Sequence, residues 1–461
     1  MPGYANWEQL YREEYAAMSH EGFDVTRAVL PQNGEQPLPF PVHDPDDLVG
    51  YSEAYWEKAY QSLWDIRERG VRQDYPYVEP INCEEILLAA DKSPNLPKIS
   101  VETYEKRIAG AVYGRFAGVV LGKPLEMNMN RTKIKEYLES VGEYPLSDYV
   151  SGYSSALDMH LREDCIPSTR GHISYVQPDD DIHYTILALL LVEKHGMEFS
   201  SADVGNNWLD NIPYHWLWCA SRQAYYRMVN LDDTLPRDEQ IAQIPWKLNP
   251  WRECIDGQIR GDAWGYFAPG DPITAAKTAY RDCSFSLAKN GCYGGMFVSG
   301  CIAAALTQNT TVERILRGGL SVIPAQSRLA EAVRTVWHRY NETKDWIKVC
   351  GEIEERYVDE PFSGTINNLS MTVLALLHGN LDYTETITTA VMCGIDTDCN
   401  SGTAGSICGA AVGIDGIEPR WYEPFNDTVS TTLLDFGANS ITNLIRRITA
   451  IGKKHFNSDS H

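Results

Sequence analysis

From residue 101 onward, apolar residues return every three or four positions. The segments 183–195, 312–319, 328–340 and 370–378 carry that period, so each places its apolar side chains along one side of an α-helix. Alternation with a period of two, which marks a half-buried strand, is scarce. The pattern predicts an all-α protein of helices packed on helices in a compact orthogonal bundle. Before residue 100 the chain becomes a mixture of Pro, Tyr, Trp and acidic residues, with short helical patterns at 7–18 and 52–68 divided by proline-rich loops. Disordered chains lack so many aromatic residues, so this stretch reads as an extension that wraps a larger body. The expected organisation is an extension over 1–100, a helical domain over 101–453 and a polar tail over 454–461.

Two segments break helix propensity in the same way. Gly110, Gly114, Gly118 and Gly122 fall four apart, and Gly402, Gly405, Gly409 and Gly413 follow at spacings of three, four and four. On a helix each set lines one face. A glycine inside a helix costs about 0.5–1 kcal/mol against alanine, so such a number of them predicts that another backbone comes very close. The first set runs out into Lys123, Pro124, Leu125 and Glu126, and the second is preceded by Asp396, Thr397 and Asp398. If both helices are central, their ends bring acidic groups to one buried floor.

Charge narrows the partners. The 461 residues suffice for one large core with an added segment or for two domains, but a formal net charge of −23 repels phosphate backbones and anionic headgroups. Nucleic acid and membrane are therefore not expected as partners. A phosphorylated substrate would need that charge offset locally by a cation, by backbone amides or by a few basic side chains. The 11 cysteines form no C-x-x-C pair and sit mostly in apolar or small-residue runs, as Cys301, Cys393 and Cys408 do, so they read as reduced core residues. Residues 1–10 lack the basic start and apolar run of a signal peptide, and the longest strongly apolar run, 186–192, is too short to span a bilayer. A cytoplasmic protein is expected, with its oligomeric state open.

The chemistry concentrates in two acidic clusters. Asp179, Asp180 and Asp181 directly precede an apolar helix, where one aspartate is explained by capping. Three exceed that need, and their repulsion calls for either solvent or a cation. Asp396 and Asp398 lie between glycine and small residues with no Lys or Arg beside them in sequence, in surroundings that read as buried. Buried carboxylates need partners, and the two clusters together suit one or two magnesium-type ions.

These segments match a known family. The stretch RIAGAVYGRFAGVVLGKPLE (107–126) resembles the opening helix of the ADP-ribosylglycohydrolases. DDDIHYTILALLL (179–191) resembles their first metal motif, and GIDTDCNSGTAGSICGAAVG (394–413), with Ile417, Pro419 and Trp421 beyond it, resembles the second. The resemblance covers roughly 101–453. It implies a compact all-α fold with a binuclear magnesium centre at the base of a cleft, bound by Asp180 and Asp181 from the first motif and by Asp396 and Asp398 from the second. Glu126 would be the mobile acid that gates the site or assists proton transfer, with Asp181 and Asp396 as its catalytic companions.

This chain departs from the family pattern in places. Asp179 stands where the family often has threonine, keeping an oxygen ligand while adding charge. Cys399 stands where Thr or Ser is usual; a thiol is a poor magnesium ligand, and the Asn400 carbonyl is the alternative next to it. The stretch Asn290, Gly291, Cys292, Tyr293, Gly294, Gly295, Met296 resembles the family's glycine-containing loop whose amides face ligand phosphates, or is simply a glycine-rich turn before a helix over 296–306. Phe297 follows where better-known members carry arginine. Arg260, Asp262 and Trp264 form an aromatic and charged loop that either shapes the cleft or pairs internally. His183 either bonds a ligand carboxylate or is a satisfied core histidine.

The expected function is thus a magnesium-dependent hydrolase acting on an N- or O-glycosidic bond to ribose, in an ADP-ribosyl group or in a small ribosylated metabolite. The alternatives are an inactive binding or structural protein on the same fold, and a metal-dependent hydrolase or lyase on a non-sugar substrate.

Overall fold

The computed structural model describes residues 3, 5–27, 52–127 and 129–458. Its regular elements are helices, apart from two short antiparallel pairs, Tyr153–Ser154 with Met159–His160 and Thr428–Ser430 with Ala438–Ser440. The all-α expectation holds. Helices open where the chain supplies a side-chain acceptor: Ser100 for Val101–Gly122, Ser327 for Arg328–Thr343 and Asp382 for Tyr383–Cys393 each take an amide of the first turn.

At the centre lie Val101–Gly122 and Thr397–Val412, running antiparallel. A Cβ added to Gly114 would stand 2.4 Å from the Gly405 carbonyl oxygen, one on Gly118 2.2 Å from that of Ser401, and one on Gly409 2.1 Å from that of Gly110. The two backbones therefore touch along their shared length, which only glycine permits. Hydroxyls of the second helix close the seam, Ser401 Oγ donating to the Gly118 carbonyl at 2.7 Å and Thr397 Oγ1 to the Gly122 carbonyl at 2.8 Å. Gly402 instead makes room for Val119 and Arg115. Antiparallel packing brings the end of the first helix to the start of the second, and so Glu126 to Asp396 and Asp398. Around this pair, Thr365–Gly379 and Tyr383–Cys393 cover one side, and Asn290–Ala305 sits between Pro272–Cys283 and Val312–Leu320.

The extension has a core of its own. Trp7–His20 and Glu53–Arg67 bury Leu10, Tyr11, Met18, Trp56 and Leu63 against each other, with Leu248 and Trp251 of the larger body at the edge. Charge ties the two together. Arg252, fully buried, donates to Glu21 at 2.6 Å and to Glu14 at 3.0 Å, and Lys289 Nζ lies 2.8 Å from Glu21. Further along, Glu79 accepts from Arg328 at 2.9 Å, and the Val78 amide bonds the Gln326 carbonyl at 3.0 Å. Residues 454–458, read from sequence as tail, continue the helix Ile441–Ser458; 459–461 and 28–51 lie outside the described residues.

Burial alone would raise the Glu21 carboxyl, but Arg252, Lys289 and Arg67 outweigh it and hold the group below its ordinary value of 4.5. Arg328 does the same for Glu79 against its burial. A depressed carboxyl contributes stability that is full above 4.5 and fades as pH falls through the folded value. Acid should therefore release the extension, seen as limited proteolysis within 52–99 beginning only below pH 4.5. Arg252→Ala, which strands two buried carboxylates, should cost about 3–5 kcal/mol in urea unfolding at neutral pH. Gly118→Ala, stabilising in an ordinary exposed helix, should here destabilise by about 1–3 kcal/mol in the same assay, because its methyl meets backbone.

Candidate metal centre

Asp179 is the N-cap of Asp180–His195, its Oδ1 accepting from the Asp181 amide at 3.0 Å. Its Oδ2 accepts from Lys123 Nζ at 2.7 Å, and the same ammonium donates to the Pro178 carbonyl at 2.8 Å. Lys123 thus offsets the extra charge that an aspartate brings here. Asp181 is fully buried: Arg115 Nη2 donates to its Oδ1 at 2.7 Å and Cys399 Sγ to its Oδ2 at 3.0 Å. Arg115, in the middle of the first glycine helix, also donates to the carbonyls of Asp181 and Ile259. Of the three aspartates only Asp180 keeps some exposure, and it has no basic partner among the described residues.

The second cluster sits at the other helix start. Asp396 occupies the N-cap position of Thr397–Val412 without capping it, and its buried Oδ1 has no hydrogen-bond partner among the described residues. Asp398 Oδ1 accepts from the Cys399 amide at 3.0 Å. Immediately before, Ile395 has φ +61°, a left-handed conformation that a β-branched residue holds only under constraint and that gathers at functional sites. Glu126 arrives from the turn Lys123–Leu125, with Arg162 Nη1 3.6 Å from its Oε2.

The electrostatics follow from this crowding. Burial, Asp398 and Asp179 push the Glu126 carboxyl up to about 9, with Arg162 opposing. Burial and Asp179 raise Asp398 to about 6. Asp180, Asp181 and Asp396 stand well above the usual carboxylate range, from burial first; acidic neighbours add to it, and at Asp181 Arg115 opposes it without reversing it. The carboxylate oxygens of residues 179–181 lie within 4.8 Å of one another, as do the ligand atoms of Asp396, Asp398 and Cys399. The Cys399 to Asp181 bond joins the two groups. An orphaned buried oxygen amid mutually repelling carboxylates, at the positive ends of two helices, is an arrangement that a hard divalent cation would satisfy.

The family model of ADP-ribosylglycohydrolase matches residues 100–454, the greater part of the chain. The chain belongs to the ADP-ribosylglycohydrolase family. Among curated proteins none matches. A solved structure described as an "ADP-ribosylglycohydrolase-related protein complex" is similar at 16% identity, covering 77% of this chain and 99% of that chain with a TM-score of 0.49. The family is one of metal-dependent hydrolases acting on ADP-ribosylated substrates. No helix among the described residues is long and apolar enough to cross a membrane.

Several family-derived expectations fall elsewhere in the structure. Asn400 does not join the acidic groups: its Oδ1 accepts from Gln258 at 3.0 Å and from Thr372 at 3.2 Å, while its amide donates to Asn368. Cys399 is present at the cluster, but as a thiol donor, since burial and Asp181 hold its ionisation far above normal.

The supposed phosphate loop, Asn290, Gly291, Tyr293, Gly294 and Gly295, is the buried first turn of a helix, Asn290–Ala305. Gly295 lets that helix touch Gly257, and Gly291 leaves room for the Arg252 carbonyl, which is why small residues are needed. Three of its amides are already taken, that of Asn290 by Glu253 at 3.0 Å, that of Gly291 by the Ala288 carbonyl at 3.0 Å and that of Tyr293 by the Lys289 carbonyl at 2.9 Å, while the Asn290 side chain donates to Glu79 and Glu253 at 2.8 Å. Tyr293 donates to the Pro80 carbonyl, and Phe297 is buried against Gly319.

Arg260, Asp262 and Trp264 belong to short buried helices, Asp256–Arg260 and Asp262–Phe267, and not to a loop. Arg260 pairs with Asp282 at 2.9 Å, whereas Asp262 lies 3.5 Å from Arg115, so the two do not pair with each other. Trp264 packs on Phe199. His183 Nε2 accepts from the Thr432 amide at 3.2 Å, its buried Nδ1 has no hydrogen-bond partner among the described residues, and burial lowers its basicity to about 4.

What the sequence did not reveal is a cleft of about 630 Å³ whose wall includes Met127 and Ile395, the chain neighbours of Glu126 and Asp396. Its other walls come from 129–131, 353–362 and Asn367. No local signal joins these segments. Arg115 did carry a signal, because a charged residue inside the apolar, glycine-lined part of a helix marks a buried partner, and Lys123 directly follows that helix. Replacing Asp398 with Asn should stabilise the metal-free protein by about 1 kcal/mol or more by removing repulsion. The same variant should lose the rise in melting temperature that a divalent cation gives the native protein, about 2.7 kcal/mol at a hundredfold excess over Kd.

Proposed function

We propose that this chain is a magnesium-dependent hydrolase that cleaves an N- or O-glycosidic bond to ribose. The observation that carries the reading is the mutual repulsion of Asp180, Asp396 and Asp398 beside a raised Glu126, none of the three aspartates in an ion pair among the described residues, with Asp396 Oδ1 left without a hydrogen-bond partner there. Asp180, Asp396 and Asp398 would hold the metal, with Asp179 and Asp181 completing the acidic floor. Bound there, magnesium supplies the positive charge that grips vicinal ribose hydroxyls and offsets charge developing in the reaction.

The protein's own groups do the rest. Arg115 and Cys399 fix Asp181, and Lys123 fixes Asp179, so that the floor stays rigid. Glu126 is the proton carrier: standing beside these carboxylates, it can pass a proton to the departing group and take one from the attacking water. Catalysis of this kind rests on positioning and charge, with no covalent protein nucleophile. The eleven cysteines are all unpaired, which fits a cytoplasmic enzyme.

The ion pairs Arg115–Asp181 and Lys123–Asp179 favour a second reading, a ligand-binding protein without turnover, because they pair two of the floor's aspartates without a metal. A panel of ADP-ribosyl peptides and free ribosides separates the two. The hydrolase reading expects turnover with magnesium, loss with chelator, and loss of about a hundredfold or more in Asp180→Ala and Asp396→Ala. Glu126→Gln should lower kcat by about 10²–10⁴ with KM changed only a few-fold. Ligand binding with no turnover of any substrate would establish the second reading.

A further inference from the structure

The cleft whose wall carries Met127 and Ile395, the chain neighbours of Glu126 and Asp396, has a character that bears on the substrate. Its apolar wall is made by Met127, Met129, Ile353, Tyr357, Phe362 and Ile395. Met127 and Phe362 are 47% and 46% exposed, large apolar groups left open to solvent at the mouth of a site. A volume of about 630 Å³ is in the range that encloses a small ligand.

Anchors for a diphosphate are taken. Arg131 is the cation of the cleft wall, and its Nε and Nη2 both donate to Glu354 Oε2, at 3.0 and 2.7 Å. Glu360 adds a second carboxyl to the same wall. Arg162 is spent on Asp164 at 2.9 Å and on Glu126, and Lys123 on Asp179. The helix Arg131–Ser140 starts at the cleft, but Asn130 Oδ1 already accepts from its Lys133 amide. The glycine-rich helix start at Asn290, the other place for a phosphate, is capped by Glu253.

We propose that the cleft takes an uncharged riboside whose leaving group is an aromatic ring, held against Tyr357, Phe362 and the two methionines, and that an ADP-ribosyl diphosphate is a poor ligand. This deepens, and rests on, the hydrolase reading above. Tyr357 and Phe362 offer ring faces for stacking, and the thioethers of Met127 and Met129 adapt to its edge. Hydrolysis of such a compound breaks the bond from the anomeric carbon to the leaving atom and forms one to the oxygen of water. The bonding pair departs with the ring, which takes up a proton, and no oxidant or co-reactant is needed.

The test measures binding apart from turnover. With the full chain in magnesium, calorimetry compares phenyl C-riboside, whose carbon–carbon bond resists hydrolysis, with ADP-ribose. The C-riboside should bind at least about tenfold tighter. Phe362→Ala, at a half-exposed position, should weaken the C-riboside by about fivefold and leave ADP-ribose within about twofold. Glu354→Gln, which frees Arg131, should tighten ADP-ribose by about threefold or more. Equal or tighter binding of ADP-ribose by the native protein overturns the proposal, as does indifference of C-riboside binding to Phe362→Ala. If the binding preference holds but 4-nitrophenyl riboside is not hydrolysed, the hydrolase reading fails and the ligand class stands.

Discussion

The structure depends on one contact, the backbone-to-backbone packing of Val101–Gly122 against Thr397–Val412. Helix axes usually stand 8–10 Å apart because side chains intervene. Here glycine removes the side chains, and serine and threonine hydroxyls bond across to carbonyls. The antiparallel direction then fixes where the helix ends fall. Glu126 at the end of one helix and Asp396 at the start of the other face a common floor because the seam leaves neither helix room to slide.

That floor is held by unequal neutralisation of its charges. Arg115 and Lys123, both carried by the first glycine helix or its final turn, secure Asp181 and Asp179. Asp180, Asp396 and Asp398 are left to repel one another and Glu126. A site neutral throughout would be more stable and would have no use for a cation; one wholly uncompensated would strain the fold it sits in. The division lets the same cluster be rigid on one side and reactive on the other.

Much of this was legible in the residues. Helical period, glycine spacing and the acidic runs are local properties, and they led to the central pair and to the clusters at its ends. The partners of those clusters were not legible, because Arg115 meets Asp181 across 66 positions and Lys123 meets Asp179 across 56. Residues 290–295 misled for a physical reason. Glycine there was taken as turn chemistry, whereas it serves the same close helix approach, against Gly257, that the spacing of Gly110 to Gly122 had announced. The cleft escaped because its walls come from four separate stretches of chain.

The charges that bind the extension carry a consequence for where this protein can be divided. Arg252, Lys289 and Arg328 all lie within the stretch that matches the family, yet Glu14, Glu21 and Glu79, which neutralise them, lie before it. Cutting at residue 100 would follow the boundary of descent, strip Arg252 and Lys289 of the carboxylates they pair with and leave Arg328 with Glu253 alone. The stretch that descent marks and the stretch whose buried charges balance are different lengths of the same chain.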